Sequence, residues 1–346
     1  MTKIEPFGQL ADGRDVDLIT LSNSRGASLG VITLGGIVAS LKMPDRRGHF
    51  EDVVLGFDRL EPYAAKHPFF GTITGRVAGR IPGGKFVLDG SVYQLELNDG
   101  KNHLHGGSCG LDKRIWTPEI SDESENPSVR LTYRSPDGEE GYPGTLDIAV
   151  TYTLTQSNEL IIGSQATSDR PTPLNLTNHS YFNLHGAGRG TILDHELTVH
   201  ASEAIIPGSA MEPLGRSFPV GGTASDFRDG RKLAEAIPRL FQGHGDLYLL
   251  PHDPSGGLFH AARLSHPESG RILDVHTDEA MLQVYFGKAI DSDLTGKSGR
   301  PYGPFAGVAL ECEGYSDGVN HPEFGDILVW PGTPQVRITK YAFSAA

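Results

Sequence analysis

The chain has 346 residues with a formal net charge of −13, and 38% of its residues are hydrophobic. This length permits a large buried core, either in two domains or in one large all-β or barrel domain. The acidic balance argues against nucleic acid or an anionic membrane surface as a partner, because both bind through clustered lysine and arginine. No long basic run is present in the chain.

The termini and the cysteines bear on the compartment. The amino terminus lacks an apolar run of signal-peptide length, and no apolar segment approaches the ~18 residues that a membrane helix needs. Cys109 and Cys312 are the two cysteines and show no Cys-x-x-Cys spacing, so neither a disulfide framework nor a cysteine-rich zinc site is implied. We therefore expect a soluble cytoplasmic protein without a membrane partner.

The frequent turn residues, 44 glycines and 23 prolines, favour many short strands over long helices. In chain order, strands are predicted at residues 19–21, 27–33, 53–56, 85–88, 91–97, 129–134, 146–156, 160–167, 174–184, 196–200, 272–276, 281–286, 308–313 and 335–341. Asp89-Gly90 predicts a tight hairpin turn. One helix is predicted at 231–240, with Asp226 and Asp229 as candidate caps and Pro238 limiting its length.

The organisation of these elements predicts an all-β fold. No fixed-period repeat or low-complexity linker divides the chain, so a single large antiparallel domain over residues 1–346, built of two or more packed sheets, is the most economical arrangement. Loops at residues 79–84, 139–144 and 292–304 are expected to cover the sheet edges.

The first segment with chemical character runs from Gly71 to Gly84 and carries Arg76 and Arg80 between glycines. Glycine lets a backbone approach a ligand closely, and a guanidinium offers a planar set of donors. The Lys-Ser/Thr ending of a phosphate-binding loop is absent. Two surface arginines flanking an ordinary loop would explain the segment equally well.

A second segment, Asn102-His-Leu-His-Gly-Gly, places His103 and His105 on one side of a short strand. Such a pair could bind a metal, but no third ligand lies at a suitable spacing nearby. A hydrogen-bonding role for one histidine and a loop role for the other are therefore expected.

The third segment, Leu174 to Leu184, alternates at the period of a strand. Its leucines and Phe182 would lie on one face, while Asn175, His179, Tyr181 and Asn183 would lie on the other. Amide, imidazole and phenol groups together donate and accept toward a hydroxyl-rich ligand. The segment predicts a sugar site that contains a histidine, although a half-exposed strand with an incidental histidine would show the same pattern.

The fourth segment, Gly307 to Pro322, contains Glu311 between Leu310 and Cys312. Apolar neighbours desolvate a carboxylate and raise its pKa toward values that suit proton transfer. Glu311 is therefore a candidate base. The alternative is that Glu311 and Glu313 share an exposed strand face without a function.

Together these segments resemble the aldose 1-epimerase family, also called galactose mutarotases, from about Gly35 to Trp330. Five motifs occur in the family's order: Gly75-Arg-Val-Ala-Gly-Arg-Ile, Asn102-His-Leu-His-Gly-Gly, Thr177-Asn-His-Ser-Tyr-Phe-Asn-Leu, Leu282-Gln-Val-Tyr, and Leu310-Glu-Cys-Glu followed by Asp317-Gly-Val-Asn. The resemblance implies a β-supersandwich that interconverts the α and β anomers of free aldoses such as galactose or glucose, without cofactor or metal.

The resemblance also implies residue roles. His179 and Glu311 match the catalytic pair, and the sugar-binding positions correspond to Arg80, His105, Tyr181, Asp246 and Gln283. In this scheme Glu311 removes the proton of the C1 hydroxyl while protonated His179 delivers one to the ring oxygen, and the roles reverse on ring closure.

Two positions depart from the family pattern. Gly79 stands where members commonly have asparagine, so one sugar contact is expected to be missing. Around Asp246 the family usually shows an Asp-His pair, whereas this chain reads His244-Gly-Asp-Leu. Gln283 could also be a strand residue that is satisfied inside the core.

Two other functions fit parts of the pattern. A carbohydrate-binding domain without turnover would use the same polar groove but would not need the His179 and Glu311 pair. A hexose-6-phosphate 1-epimerase would need additional arginines for the dianion, and Arg76 and Arg80 are candidates. Nothing in the motifs indicates an oligomeric state.

Overall fold

The computed structural model describes residues 1–121, 125–251 and 257–346 and confirms the predicted all-β class. The strands in chain order are β1 (Thr2–Gln9), β2 (Asp15–Ser22), β3 (Ser28–Ile32), β4 (Ile37–Pro44), β5 (Phe50–Asp52), β6 (Ile73–Thr74), β7 (Arg80–Pro82), β8 (Lys85–Leu88), β9 (Ser91–Gln94), β10 (Asn102–Leu104), β11 (Thr117–Ser121), β12 (Ser128–Ser135), β13 (Leu146–Leu154), β14 (Glu159–Ser168), β15 (Thr172–Pro173), β16 (Thr177–Asn178), β17 (Tyr181–Phe182), β18 (Glu196–Val199), β19 (Glu203–Pro207), β20 (Pro213–Pro219), β21 (Arg231–Lys232), β22 (Leu247–Leu249), β23 (Phe259–Ser265), β24 (Arg271–Thr277), β25 (Met281–Tyr285), β26 (Val308–Glu313), β27 (Leu328–Val329) and β28 (Gln335–Ala345).

Helices are short. The α-helices are α1 (Leu60–Ala64) and α2 (Leu233–Ala236), and single 3₁₀ turns occur at Leu111–Lys113, Glu139–Gly141, Ile237–Arg239, Phe241–Gly243, Lys297–Gly299 and Pro322–Phe324. Within the three described ranges, no helix is long and apolar enough to cross a membrane.

Three large sheets organise the molecule. A five-stranded meander runs β1-β2-β3-β4-β5, a nine-stranded sheet runs β11-β12-β13-β14-β28-β24-β23-β18-β21, and a six-stranded sheet runs β17-β26-β25-β22-β19-β20. Strand pairs within all three sheets are antiparallel. The carboxy-terminal β28 lies in the middle of the largest sheet and joins β11–β14 to the later strands β24, β23, β18 and β21.

The main core lies where the nine-stranded and six-stranded sheets contribute to one apolar cluster. Leu310 and Cys312 of β26 belong to this cluster together with Tyr341 of β28, whose hydroxyl donates to the Leu310 carbonyl at 3.0 Å. Successive residues of a strand point to opposite faces. Glu311 and Glu313 therefore face away from this core. The six-stranded sheet thus has one apolar face and one polar face.

The predicted strand at 174–184 is wrong as a continuous element. Within it, two two-residue strands take different partners: β16 pairs with β6 and β17 pairs with β26, while β15, which pairs with β27, ends just before it at Pro173. Its predicted apolar face is nevertheless in the core, with Leu174, Leu176, Phe182 and Leu184 all buried there. The segment therefore hydrogen-bonds to more than one sheet while its side chains keep the alternation of a strand.

Other predicted elements show mixed outcomes. The hairpin at Asp89-Gly90 is confirmed, with φ of 49° and 74° at these two residues, as the tight turn between β8 and β9 requires. The helix predicted at 231–240 shrinks to α2 and a 3₁₀ turn, and its Lys232 N-cap makes no side-chain capping bond. The loop predicted at 79–84 contains β7, which pairs with β10.

Candidate active site

A cavity of about 560 Å³ opens on the polar face of the six-stranded sheet. All seven side chains that the motif resemblance assigned to the site line it: Arg80, His105, His179, Tyr181, Asp246, Gln283 and Glu311. Four lie within strands, namely Arg80 in β7, Tyr181 in β17, Gln283 in β25 and Glu311 in β26. The other three are adjacent to strand ends: His105 follows β10, His179 follows β16 and Asp246 precedes β22. Residues more than 230 positions apart in the sequence are therefore brought to one surface.

The imidazole of His179 and the carboxyl of Glu311 meet at the floor of the cavity. His179 Nε2 lies 3.4 Å from Glu311 Oε2, and both side chains are nearly fully buried. Glu311 is directly opposite Gln283 in the β25–β26 pair. The alternative of an exposed glutamate face on β26 is wrong, since each of its six residues is buried.

Backbone hydrogen bonds fix His179 in the gap between β16 and β17. Its N–H donates to the Thr72 carbonyl at 2.8 Å, and its carbonyl accepts from the Gly71 N–H at 3.0 Å. Gly71 has φ of 70°, and a Cβ there would lie 2.3 Å from the Val38 carbonyl oxygen, so only glycine fits. The local backbone therefore determines where the imidazole points.

Burial changes the protonation of the pair in opposite directions. Desolvation lowers the pKa of His179 to about 3. Desolvation also raises the pKa of Glu311 to about 8, although the nearby Arg80 guanidinium acts against this rise. Both shifts favour the neutral form of each group. Burial therefore favours a proton on the carboxyl of Glu311 over one on the imidazole of His179.

The imidazole of His105 faces the same floor, with its ring centroid 5.3 Å from that of His179. Its Nδ1 accepts the Gly79 N–H at 3.2 Å, so in the neutral ring Nε2 carries the hydrogen. A ring in this tautomer presents a donor to a ligand in the cavity.

The same tautomer bears on metal binding. His105, His179 and Glu311 offer atoms within 4.8 Å of one another, so a third ligand, which sequence spacing did not indicate, is supplied by a distant strand. A metal on His105 Nε2 would require the hydrogen to move to Nδ1, opposite the Gly79 N–H. The donor set therefore suits a hydroxyl-bearing ligand better than a metal ion.

Three further groups surround this floor. Arg80 Nε donates to Asp99 Oδ2 at 2.7 Å, which orients the guanidinium. Asp246 Oδ2 is buried and has no hydrogen-bond partner among the described residues. The Gln283 amide nitrogen donates to the carbonyls of Asp246 and Val284, which leaves its amide oxygen to face the cavity.

Aromatic rings form part of the cavity wall. Tyr181 stacks against His179 with ring centroids 4.9 Å apart, and Phe69 contacts His105 at 4.7 Å. Phe69 and His105 both have positive φ, 57° and 51°. Residues other than glycine adopt this backbone conformation at an energetic cost. Sequence reasoning missed Phe69, as well as His244 and Tyr285, which stack at 4.5 Å on the cavity wall.

The structure corrects the expectation for Arg76. This residue is 2% exposed and donates five hydrogen bonds, to Ser135, Pro136, Pro143 and Thr172. A guanidinium with this many protein partners is a structural cross-link. It is neither a surface residue nor available to a substrate phosphate.

Three other polar residues also face protein. His103 is held between the Glu96 carbonyl and the Tyr142 hydroxyl, both at 2.8 Å. The amides of Asn175 and Asn183 donate to the carbonyls of Gly314 and Ala306. Of the polar face predicted for the 174–184 segment, only His179 and Tyr181 therefore line the cavity.

Comparison with known proteins identifies the family. The aldose 1-epimerase family model matches residues 17–341. The chain is 40% identical over 341 residues to a galactose mutarotase of Homo sapiens, covering 98% of both proteins, and 32% identical to an aldose 1-epimerase of Escherichia coli, covering 96% of this chain and 97% of that one. A solved aldose epimerase homologue from C. elegans superimposes with a TM-score of 0.87 at 31% identity, covering 95% of this chain and 99% of that one.

The fold and the matched chain length define the class: the protein belongs to the aldose 1-epimerase family and is an isomerase. Its activity is that of a mutarotase on sugars. The carbohydrate-binding domain without turnover, considered above, is therefore wrong as the function of this chain.

Proposed function

We propose that Glu311 and His179 are the acid–base pair that opens and recloses the ring of a free aldose. The observation that carries the proposal is their 3.4 Å contact on the floor of a cavity large enough for a sugar. Mutarotation needs one proton removed from the C1 hydroxyl and one delivered to the ring oxygen. Two groups that share one proton can do both without a cofactor.

The protonation that burial favours for Glu311 and His179 corresponds to their state after ring opening. Before ring opening, Glu311 must be ionised and His179 protonated; after it, Glu311 is protonated and His179 neutral. The second state is the one that burial favours in the empty cavity. The first state differs from it only by a proton shift across the contact, and the Arg80 guanidinium favours that shift because it lowers the pKa of Glu311.

The remaining lining groups would hold the open-chain intermediate so that the same aldose recloses. His105 is a donor, Asp246 and the Gln283 oxygen are acceptors, and Arg80 is a donor with its Nε already bonded to Asp99. Tyr181 offers a ring face or its hydroxyl. These assignments are proposals, and each is supported by the lining of the cavity.

The charge of the cavity favours a neutral sugar over a sugar phosphate. Its cationic lining groups, within the described part of the chain, are Lys66 and Arg80, and Arg80 is already paired with Asp99. A phosphate dianion would need free guanidinium groups, and Arg76 is not available. We therefore propose galactose or glucose as substrates and expect poor turnover of their 6-phosphates.

Polarimetry tests the pair. Freshly dissolved α-galactose, α-glucose and their 6-phosphates are followed with wild-type enzyme and with Glu311→Gln. The substitution should lower kcat by about 10²- to 10⁴-fold, the usual contribution of a general base, while the Kd for galactose by calorimetry stays within a few-fold. Glu279→Gln is the matched control, because the Glu279 side chain is also largely buried, with 9% exposed, and pairs with Arg337 outside the cavity. Near wild-type turnover by Glu311→Gln would contradict the assignment.

Two broader proposals concern the whole chain. We propose that residues 1–346 form one domain, supported by a core cluster that includes residues from Ile19 to Phe343. We also propose a reducing compartment such as the cytoplasm, supported by the free thiols of Cys109 and Cys312. Limited proteolysis and localisation of a tagged chain test these two proposals.

A further inference from the structure

A second buried carboxyl, that of Glu313, lies beside the proposed catalytic pair. It is two residues along β26 from Glu311, so both side chains project from the same face of the strand. Glu313 is 2% exposed and lines the same cavity. Its Oε2 has no hydrogen-bond partner among the residues that the structure describes.

The backbone opposite Glu313 is a glycine for a steric reason. Gly79 has φ of 74°, and a Cβ there would lie 2.6 Å from Cβ of Ser316 and 3.5 Å from Oε1 of Glu313. A side chain at this position would therefore fill the space next to the carboxyl. With glycine, the carboxyl of Glu313 borders the cavity directly.

Burial and neighbouring carboxyls favour the neutral, protonated form of the Glu313 carboxyl. Desolvation raises the pKa of Glu313 well above its usual range, and the nearby carboxyls of Glu311 and Glu279 raise it further. A neutral carboxyl has one O–H donor and a carbonyl acceptor. Leaving such a group buried without a partner is unfavourable, so a ligand that supplies one gains binding energy.

We propose that Glu313, through its side-chain carboxyl, hydrogen-bonds a substrate hydroxyl remote from C1 and is a specificity-determining residue of this enzyme. The inference rests on the proposed function, because Glu311 sets the position of C1. Side chains two residues apart on a strand are separated by roughly 7 Å, about the breadth of a pyranose with its hydroxyls. With C1 at Glu311, a hydroxyl across the ring from the reacting carbon is therefore within reach of Glu313.

The test is a cycle of two protein variants and a panel of sugars. KM and kcat are measured by polarimetry for galactose and its 2-, 3-, 4- and 6-deoxy derivatives, with wild type, Glu313→Gln and Glu313→Leu. We expect Glu313→Leu to raise the KM of galactose by about 10- to 100-fold, the effect of one well-made hydrogen bond to substrate, with kcat within about threefold. For one deoxy sugar, wild type and Glu313→Leu should have the same KM. Glu313→Gln should stay near wild type, since an amide also donates and accepts.

The outcomes separate this inference from the proposed function. An unchanged KM for every sugar in Glu313→Leu overturns the contact, and an equal rise for all deoxy sugars overturns the assignment to one hydroxyl. A KM in Glu313→Gln as high as in Glu313→Leu overturns the neutral form. If Glu313→Leu does not fold, Glu313→Met replaces it, and Glu279→Gln controls for changing a buried carboxyl. Failure of the proposed function appears elsewhere, as continued turnover by Glu311→Gln.

Discussion

Two clusters that join buried histidines to carboxylates differ in how their polar atoms are used. In the cavity, His179 Nδ1 has no partner among the described residues and Nε2 makes a long 3.4 Å contact with Glu311. In the second cluster, which does not line the cavity, the half-exposed Asp194 bridges two histidines, accepting from His195 Nδ1 at 2.9 Å and from His266 Nε2 at 3.0 Å.

Every ring nitrogen of the second cluster is paired. His195 Nε2 accepts the Leu184 N–H at 2.9 Å, and His266 Nδ1 accepts the Ser269 N–H at 3.2 Å. The Ser269 hydroxyl donates in turn to the Leu184 carbonyl. These bonds fix the end of the segment that carries His179, so this cluster supports the site without facing a ligand.

The difference shows how a reactive pair can be distinguished from a structural one. Both clusters contain buried imidazoles next to carboxylates, so residue type and burial of the imidazoles do not separate them. Hydrogen-bond satisfaction does, because a buried polar atom without a protein partner is costly and is retained where a ligand completes it. His179, Asp246 and Glu313 combine an unpartnered buried atom with a place on the cavity lining, as expected of the proposed substrate contacts, whereas His195 and His266 do not.

The largest expected effect is on kcat, and it appears when a histidine of each cluster is replaced by glutamine. His179→Gln should lower kcat by about 10²- to 10⁴-fold, as loss of a general acid does, with little change in unfolding temperature. His195→Gln should instead destabilise the protein by about 1–3 kcal/mol, because it leaves Asp194 and the Leu184 N–H incompletely bonded. Polarimetry and urea unfolding of both variants measure the two effects. A large loss of kcat in folded His195→Gln would contradict the division.

A second, smaller effect is the pH dependence, which concerns kcat/KM for the cavity pair and protein stability for the Asp194 cluster. Activity requires the proton that the cavity pair holds, and since the pKa of Glu311 is raised to about 8, kcat/KM should be constant at neutral pH and fall as pH rises above about 8. Asp194 behaves in the opposite sense. Its pKa lies well below the usual range because both histidines donate to it, so its stabilising effect is present above the unfolded pKa of ~3.9 and is lost as pH falls below it.

The measurements for this contrast are a pH–rate profile and urea unfolding of wild type and Asp194→Asn. The stability difference between the two proteins should shrink between pH 5 and pH 3. A rate profile that instead falls on the acid side near pH 6.5, the ordinary value of an imidazole, would show that His179 titrates as an exposed histidine and would contradict its desolvated state.

The smallest expected effect concerns the orientation of Arg80. Asp99→Asn removes the charge that holds this guanidinium at 2.7 Å, and loss of a partly exposed ion pair is worth about 0.5–1 kcal/mol, or a two- to fivefold rise in KM. Asp12→Asn is the matched control, since Asp12 pairs with Arg14 at 2.7 Å in an exposed position away from the cavity. Equal KM values for the two variants would remove Arg80 from the proposed binding set.

Sequence motifs predicted the members of the cavity better than they predicted its construction. All seven residues assigned by resemblance line it, because motifs preserve residue types at ligand-facing positions. The direction of Arg76 could not be predicted, since its partners from Ser135 to Thr172 are brought to it by tertiary folding. The same holds for Asn175 and Asn183, whose carbonyl partners are more than 120 residues away.

The wall of the cavity shows the limit of pattern reasoning most clearly. Ile205, Pro207, Met211 and Pro213 line it from the β19–β20 hairpin, and nothing in their spacing distinguishes them from residues of any other hairpin. The strand predicted at 174–184 has the correct alternation, yet it is interrupted, because β16 hydrogen-bonds β6 and β17 hydrogen-bonds β26. Partner choice is a non-local property that alternation does not encode.

The strand β26 places a constraint on how this enzyme could be redesigned. Leu310 and Cys312 belong to the apolar core, while Glu311 and Glu313 border the cavity. Inserting or deleting one residue would exchange the two sets, putting both acids into the core and the leucine and thiol before the sugar. New selectivity is therefore better engineered in the β19–β20 hairpin, where length can change without shifting the register of the strand that carries the acids.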